Sequence, residues 1–244
     1  MHEQLWFTAI LNKLLGGVTT ALLETLHIAP TDPSAPIPNY VAMQILVVLL
    51  LVLLFAFVRL RLSVDNPGVW QHIVETLRDF LQDMSREIIG PHSERYTPFM
   101  LCLFLFILIS NLLGLIPTFE TPTATPSVPF GCAILTFGYY NLQGILKQGV
   151  LRYAWHFTGP IWWLSWLMLP IEIISHLARL LSLTVRLWAN MFAGELVTLV
   201  FFSMIPIALP VIFNALHILV AVLQAYVFVL LTAIYLSGAV ATEH

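Results

Sequence analysis

Residues 161–203 read IWWLSWLMLPIEIISHLARLLSLTVRLWANMFAGELVTLVFFS, and this stretch decides the class of fold. A second apolar stretch, 211–240, follows Pro206 and Pro210, and 161–242 carries only four formal charges. At 1.5 Å per residue each stretch makes a helix more than about 40 Å long, whereas the hydrocarbon core of a bilayer is about 30 Å thick. Helices of that length must tilt. The pattern therefore predicts a long, tilted helical hairpin in a membrane.

The composition of the whole chain agrees with this prediction. Of its 244 residues 59% are hydrophobic and 9% are charged, whereas soluble domains carry about 25% charged residues. A soluble enzyme, a disordered protein and, with a net charge of −3, a nucleic-acid-binding protein are excluded. Cys102 and Cys132 lie in apolar runs and are interpreted as small hydrophobic residues. We predict an all-α integral membrane protein without metal or cofactor.

The rest of the chain divides into further membrane segments. Val41–Val58 is uncharged and long enough to span, as are Pro98–Phe119 and Phe130–Leu146, which are joined by a Pro-rich loop. Val69–Ile89 alternates apolar and charged residues at helical period and is too polar to span. The predicted regions are 1–40, an external segment with a short interfacial helix; 41–62, the first span; 63–97, a cytoplasmic in-plane amphipathic helix; 98–160, two spans with an external Pro-rich loop; and 161–244, the hairpin.

The distribution of Lys and Arg predicts the orientation. Seven of the ten basic residues lie on the side that holds 59–97 and 147–160, whereas the opposite side holds only Lys13. Basic loops are cytoplasmic. We therefore expect about five crossings, with the N-terminus outside and the C-terminus in the cytoplasm.

Each long helix of the hairpin carries one polar stripe. Ionisable residues at membrane depth are costly and are functional by default. At 100° per residue, an arc of about 100° on the first helix contains six polar residues, and Glu195 lies off this arc. An arc of about 80° on the second helix contains five. The two stripes are Glu172, Ser175, His176, Arg179, Arg186 and Asn190, and Asn214, His217, Gln224, Thr232 and Tyr235.

Two carboxylates flank one arginine along the first helix. Glu172 lies about 21 Å from Arg186 on one side, and Glu195 about 13 Å on the other. Carboxylates and imidazoles pass protons, whereas a guanidinium stays protonated. The order predicts two half-paths with an electrostatic block between them. Arg179 and His176 have a structural alternative, as headgroup-capped and hydrogen-bonded residues.

Arg186 has no acidic partner in its own helix. The residues three and four positions away are Ser182, Leu183, Ala189 and Asn190. Leaving a buried charge unpaired is expensive. We infer an intramembrane carboxylate on a partner protein.

Four segments resemble subunit a of F-type ATP synthases. RLLSLTVRLWANMFAGE (179–195) resembles the family signature R-L-x-x-N-x-x-A-G-E. NPGVWQHIVE resembles the family's stretch after its first span, SNLLGLIP the end of its second span, and LQAYVFVLLTAIYL its last helix. The similarity extends over nearly the full length of the chain.

The resemblance implies a non-catalytic, proton-conducting stator subunit of the Fo sector in a bacterial inner membrane. Its partners would be a rotating ring of subunit c, the peripheral stalk subunit b and the lipid bilayer. Arg186 matches the essential arginine that faces the ring carboxylate. The outer half-channel would use Glu195, His217, Asn190, Gln224, Asn214 and Asn111; the cytoplasmic half-channel Glu172, Ser175 and His176; and Arg179, Ser182 and Tyr235 are candidate supporting residues.

The sequence departs from the family pattern at a few positions. Gly114 stands where some bacterial members have an aspartate, which implies fewer carboxylates on the entry path. Leu180 stands where many have proline, and Trp188-Ala189 replaces the common Phe-Gly. The alternative functions are a self-contained channel or secondary transporter, and a structural membrane anchor. The absence of an internal repeat weighs against inverted-repeat transporters.

The hairpin also predicts a relationship between Glu195 and His217. A turn near Pro206–Pro210 brings both residues close to the outer surface at similar depth. An acid and a base of near-neutral pKa at that place could form a coupled proton-entry pair. The alternative is that His217 only hydrogen-bonds within the hairpin.

Overall fold

A computed structural model describes residues 5–25, 36–63, 68–91, 93–116, 119–149, 165–204 and 208–240. The described residues form helices and contain no β-strand. Two short 3₁₀ helices, Ser93–Arg95 and Pro122–Ala124, connect longer elements. The α-helices are α1 (Trp6–Thr25), α2 (Asn39–Leu60), α3 (Val69–Ile89), α4 (Thr97–Leu113), α5 (Ser127–Gln148), α6 (Ser165–Met204) and α7 (Ala208–Val240). The predicted all-α architecture is confirmed.

The last two helices form an antiparallel hairpin. Helix α6 has 40 residues and α7 has 33, which makes them about 60 Å and 50 Å long. Residues that come later in α6 meet residues that come earlier in α7. The paired positions are Phe201 with Phe213, Gly194 with His217, Asn190 with Gln224, and Arg179 with Tyr235. Their order confirms the predicted hairpin.

Helix α7 is the centre of the bundle. It packs against α3, α4, α5 and α6, and its residues Ala221, Ala225 and Ala233 are fully buried. Small residues let membrane helices approach closely. The final turns of α7 are also tied to neighbouring helices, because Ser237 Oγ donates to the Ile88 carbonyl (2.8 Å) and the Ala239 carbonyl accepts from a glutamine of α5.

Three described helices are long and apolar enough to cross a membrane: α2, Pro170–Phe201 of α6, and Val211–Val240 of α7. Helix α4 is apolar but has only 17 residues. Helix α5 is longer but carries tyrosine, asparagine and glutamine side chains. The membrane class follows from these helices, whereas the number of five crossings stays a prediction.

Several predicted boundaries were wrong. The second span ends at Leu113 rather than Phe119, because at Gly114 the chain leaves the helix for tighter turns. The third begins at Ser127 rather than Phe130, since Pro129 fits the first turn, where its missing N–H is not needed. The Pro-rich loop is partly helical, and α1 is longer than the short helix predicted.

Other predictions can be placed against the described residues. Helix α3 has the predicted bounds, Val69–Ile89. The Pro-rich connection at 26–35, Pro206, and the loop at 150–164 lie outside the described residues.

Candidate functional site

Most of the predicted site residues lie on the α6–α7 hairpin, and together with residues of α4, α5 and the segment between them they form two groups on either side of Arg186. The group near the connection from α6 to α7 is called the hairpin-tip cluster, and it contains Asn111, Thr121, Thr123, Asn190, Glu195, His217 and Gln224. The group near the other end is called the hairpin-base cluster, and it contains Tyr140, Glu172, His176, Arg179 and Tyr235.

Arg186 is half-buried on a face of α6 that no described helix covers. Its Nη2 donates to Ser182 Oγ at 3.4 Å. No carboxylate of the described residues lies within 4.0 Å of it. Its neighbours Leu181 and Val185 are about half exposed. The guanidinium therefore has a hydroxyl partner in this chain and is open to a partner at the uncovered face.

A hydrogen bond across the hairpin joins Asn190 to Gln224 in the tip cluster. Asn190 Nδ2 donates to Gln224 Oε1 at 2.9 Å. Gln224 Nε2 and His217 Nε2 are buried without a hydrogen-bond partner among the described residues. Unsatisfied polar atoms in a roomy polar site are where buried water binds. These two groups are therefore suited to contact water in a proton path.

A cavity of about 320 Å³ opens between α6 and α7 at the same level. Its polar lining comes from Asn190, Thr198 and His217, and five apolar residues with Gly194 complete it. Asn214 lies three residues before His217 and is half-buried. Two of the predicted site residues, Asn190 and His217, therefore line the same cavity.

His217 packs directly against Gly194. A Cβ at Gly194 would lie 2.6 Å from His217 Nδ1, a distance that real Cβ contacts essentially never show. The His217 ring can hold this position only while residue 194 has no Cβ, so the glycine makes room for the imidazole beside the cavity.

Glu195 points away from His217, toward the end of α4. Its Oε1 accepts a hydrogen bond from the backbone N–H of Thr121 at 3.2 Å. Among the described residues, Glu195 and His217 form no hydrogen bond or ion pair with each other. Successive residues of a helix point about 100° apart, and His217 occupies the direction of Gly194. Functional coupling of the two residues stays a prediction.

Asn111 joins α4 to the tip cluster. Thr123 Oγ1 donates to Asn111 Oδ1 at 2.6 Å, and Asn111 Nδ2 donates to the Ala221 carbonyl at 3.4 Å. Ala221 lies one turn after His217 on α7, and the short 3₁₀ helix that carries Thr123 packs against α6. The segment between α4 and α5 thus contributes Thr123 to the tip cluster.

The base cluster is a chain of polar side chains from three helices. Tyr140 Oη and His176 Nδ1 are 2.9 Å apart, and His176 Nε2 is 3.3 Å from Glu172 Oε1. Arg179 Nη2 lies 4.0 Å from the same carboxylate oxygen and stacks 5.5 Å from the Tyr235 ring centre. Ser175 is half-buried beside His176. Phenol, imidazole and carboxylate groups in contact can pass a proton between them.

Sequence reasoning missed four residues of these clusters: Thr121, Thr123, Tyr140 and Gly194. Tyr140 is a polar side chain in an otherwise spanning segment, a signal that could have found it. The two threonines lie in a turn without periodicity, whereas Gly194 is the glycine of the A-G-E signature, a signal that could have found it. Their roles depend on which helix the fold brings against them.

The long apolar helices define an integral membrane protein, in which Arg186 lies between two polar clusters with no carboxylate of the described residues within 4.0 Å. The family model for the ATP synthase A chain matches residues 41–237. The chain is 52% identical over 244 residues to ATP synthase subunit a of Koribacter versatilis, covering 100% of both chains. It is 49% identical to that of Solibacter usitatus, over 96% of this chain and 99% of the relative. This chain belongs to the ATP synthase subunit a family.

Family membership confirms the resemblance seen in the four sequence segments. It identifies the chain as a proton-translocating membrane subunit of the ATP synthase Fo sector, and therefore as one component of a complex.

Proposed function

We propose that the α6–α7 hairpin forms two offset half-channels to the carboxylates of a rotating ring of subunit c, and couples proton flow to rotation. The observation that carries this proposal is Arg186. It is a half-buried cation without a carboxylate partner among the described residues, on an uncovered face, between two polar clusters. An acidic group on a second protein at this face would satisfy it.

The tip cluster supplies the entry path in this proposal. Protons pass His217 and Glu195, with Asn111, Asn190, Asn214 and Gln224 as polar lining, and neutralise a ring carboxylate. Two features support this route: the cavity between the helices, and the buried Nε2 atoms of His217 and Gln224, which have no hydrogen-bond partner among the described residues. A neutral carboxyl group can then move into lipid, where a charged one is strongly disfavoured.

The base cluster supplies the exit path. After nearly a full turn the ring site loses its proton near Glu172, His176 and Ser175. Arg186 keeps the two paths from joining and favours the deprotonated ring site, because its guanidinium cannot itself take part in proton transfer. A membrane potential supplies about 2.3 kcal/mol per charge per 100 mV for this movement.

Three residues support these groups. Ser182 accepts the hydrogen bond from Arg186, and Arg179 lies beside Glu172 and over Tyr235. Each orients a charged side chain of the path. In this proposal these three side chains hold the charged groups in position and do not themselves transfer protons.

The remaining proposals concern the setting of the subunit. The hairpin-tip side is external, the N-terminus is outside, and about five crossings through the bacterial inner membrane leave the C-terminus in the cytoplasm, with the regional division proposed from the sequence. The peripheral stalk subunit b is a second partner in the bilayer. The subunit itself is non-catalytic.

The test replaces Arg186 by Ala or Gln in the whole complex. In inverted membrane vesicles we expect loss of ATP synthesis and of ATP-driven acidification, while the subunit remains in the membrane and copurifies with the ring. Arg78→Gln, at an exposed position of α3, is the matched control and should retain both activities. Normal coupled synthesis by Arg186→Ala would overturn the proposal.

A further inference from the structure

Thr121 is a buried residue whose hydroxyl has no role in the path described so far. The residue is only 2% exposed, and its Oγ1 makes no hydrogen bond of regular geometry among the described residues, although its side chain is close enough to act on Glu195. Its backbone N–H is the group that donates to Glu195 Oε1. An unsatisfied buried hydroxyl is costly, and it is therefore expected to serve a group close to it.

The space at Gly114 shows which group this is. A Cβ at Gly114 would lie 1.7 Å from Thr121 Oγ1 and 3.4 Å from Glu195 Oε1. Gly114 has an ordinary helical φ of −65°, so the glycine is required by this close approach and not by its backbone conformation. The Thr121 hydroxyl occupies the place of the missing side chain, next to the carboxylate.

We propose that Thr121 is a positioning residue for Glu195: its hydroxyl rotates to donate a second hydrogen bond to the carboxylate, beside its own N–H, in the room that Gly114 leaves. A hydroxyl hydrogen turns freely to suit an acceptor. The backbone N–H and the hydroxyl of Thr121 together hold the Glu195 carboxylate toward α4. The carboxylate therefore points away from His217. The proposal rests on the proposed role of Glu195 in the entry path.

The hydroxyl has a consequence that can be measured. A hydrogen bond to an ionised carboxylate is stronger than one to a neutral group, so the donor favours the ionised form. The other groups that face Glu195 are Glu120, which acts on it electrostatically, and His217 of α7, which packs on the preceding residue. Helix α4 and the first three turns of α5 carry no Asp, Glu, His, Lys or Arg. Thr121 is therefore the uncharged hydrogen-bond donor that fixes the position of the Glu195 carboxylate.

The experiment compares Thr121→Val, which keeps the shape and removes the hydroxyl, with Thr121→Ser, which keeps the hydroxyl. The complex is reconstituted in proteoliposomes, and the ATP synthesis rate is measured against pH on the hairpin-tip side at constant membrane potential. In Thr121→Val the pH of half-maximal rate should rise by about one unit. In Thr121→Ser it should stay at the value of the unmodified complex. Thr8→Val removes a buried hydroxyl of α1 that also has no hydrogen-bond partner in the described part of the chain, and it should leave the profile unchanged.

A second pair of variants tests the space at Gly114. Gly114→Ala should displace the hydroxyl and shift the pH profile in the same direction as Thr121→Val. In a Thr121→Ala background the same substitution should add little, because the atom at 1.7 Å is then absent. Equal effects of Gly114→Ala in both backgrounds would overturn the proposal.

Glu195→Gln separates this inference from the proposed function. If Glu195→Gln synthesises ATP normally, the role of Glu195 in the entry path fails, and the positioning role fails with it. If Glu195→Gln is impaired while Thr121→Val has the unaltered pH profile, only the positioning role fails. The Thr121→Val complex could also synthesise ATP more slowly with an unchanged pH profile, and Thr121→Ser could fail to restore the rate. That result would indicate a packing role for Thr121 and would also overturn the inference.

Discussion

The imidazole of His217 rests on the backbone of Gly194, so that a single added methyl group would lie 2.6 Å from Nδ1 and 3.0 Å from Cε1. The two helices of the hairpin meet at this point, beside the cavity that Asn190 and His217 line. The contact directs His217 at one face of α6, and the next residue, Glu195, faces another. The absence of a side chain at Gly194 therefore leaves the room that the His217 ring occupies.

Gly194→Ala should therefore displace the His217 ring from its position beside the cavity. Overpacking of this kind costs about 1–3 kcal/mol, and we expect a severalfold loss of ATP-driven proton pumping in inverted vesicles. In a His217→Ala background the same substitution should cost little, because the imidazole that the new methyl group would meet is absent. An equal loss in both backgrounds would show that the clash with the His217 ring is not the cause of the loss.

Glu195→Ala and His217→Ala should each slow proton uptake from the tip side. The two residues do not touch, yet both lie on one proposed path, so a proton blocked at either cannot use the other. The double variant should therefore lose less, in the logarithm of the rate, than the sum of the single losses. Rates of ATP synthesis at fixed proton-motive force measure this. Strictly additive losses would assign the two residues to separate routes.

Tyr140→Phe should impair the base cluster without disturbing assembly. The change removes only the oxygen that lies 2.9 Å from His176 Nδ1, and a hydrogen bond of this kind contributes about 1 kcal/mol, roughly a fivefold effect on rate. The adjacent residue provides the control, since Tyr139 stacks on Phe99 at 3.8 Å and Tyr139→Phe keeps that stacking. Equal activities of the two variants would remove Tyr140 from the path.

Arg186→Lys should fail nearly as completely as Arg186→Ala. A lysine keeps a positive charge, but its compact ammonium lacks the planar, permanently protonated fork of the guanidinium and can lose its proton when buried. ATP synthesis and passive proton flow in reconstituted vesicles distinguish the two properties. Substantial coupled synthesis by Arg186→Lys would mean that charge alone is sufficient at this position.

Composition and periodicity by themselves determined the membrane class, the hairpin, the bounds of α3 and the polar stripes of α6 and α7. These features depend on short-range physics. A helix satisfies its hydrogen bonds within a few residues, and a bilayer requires long apolar segments. The unpaired state of Arg186 within its own helix could be derived in the same way, because only positions three and four residues away had to be examined.

Only the tertiary structure decided how the clusters are completed. Thr121 meets Glu195 across 74 positions of the chain, and Asn111 meets Ala221 across 110. The turn that carries Thr121 and Thr123 has no period that predicts its direction, and Tyr140 becomes a partner of His176 only because α5 packs on α6. The same contacts turned Glu195 from His217 toward α4. Long-range packing chooses which side chains meet, and no local rule of helix geometry contains that choice.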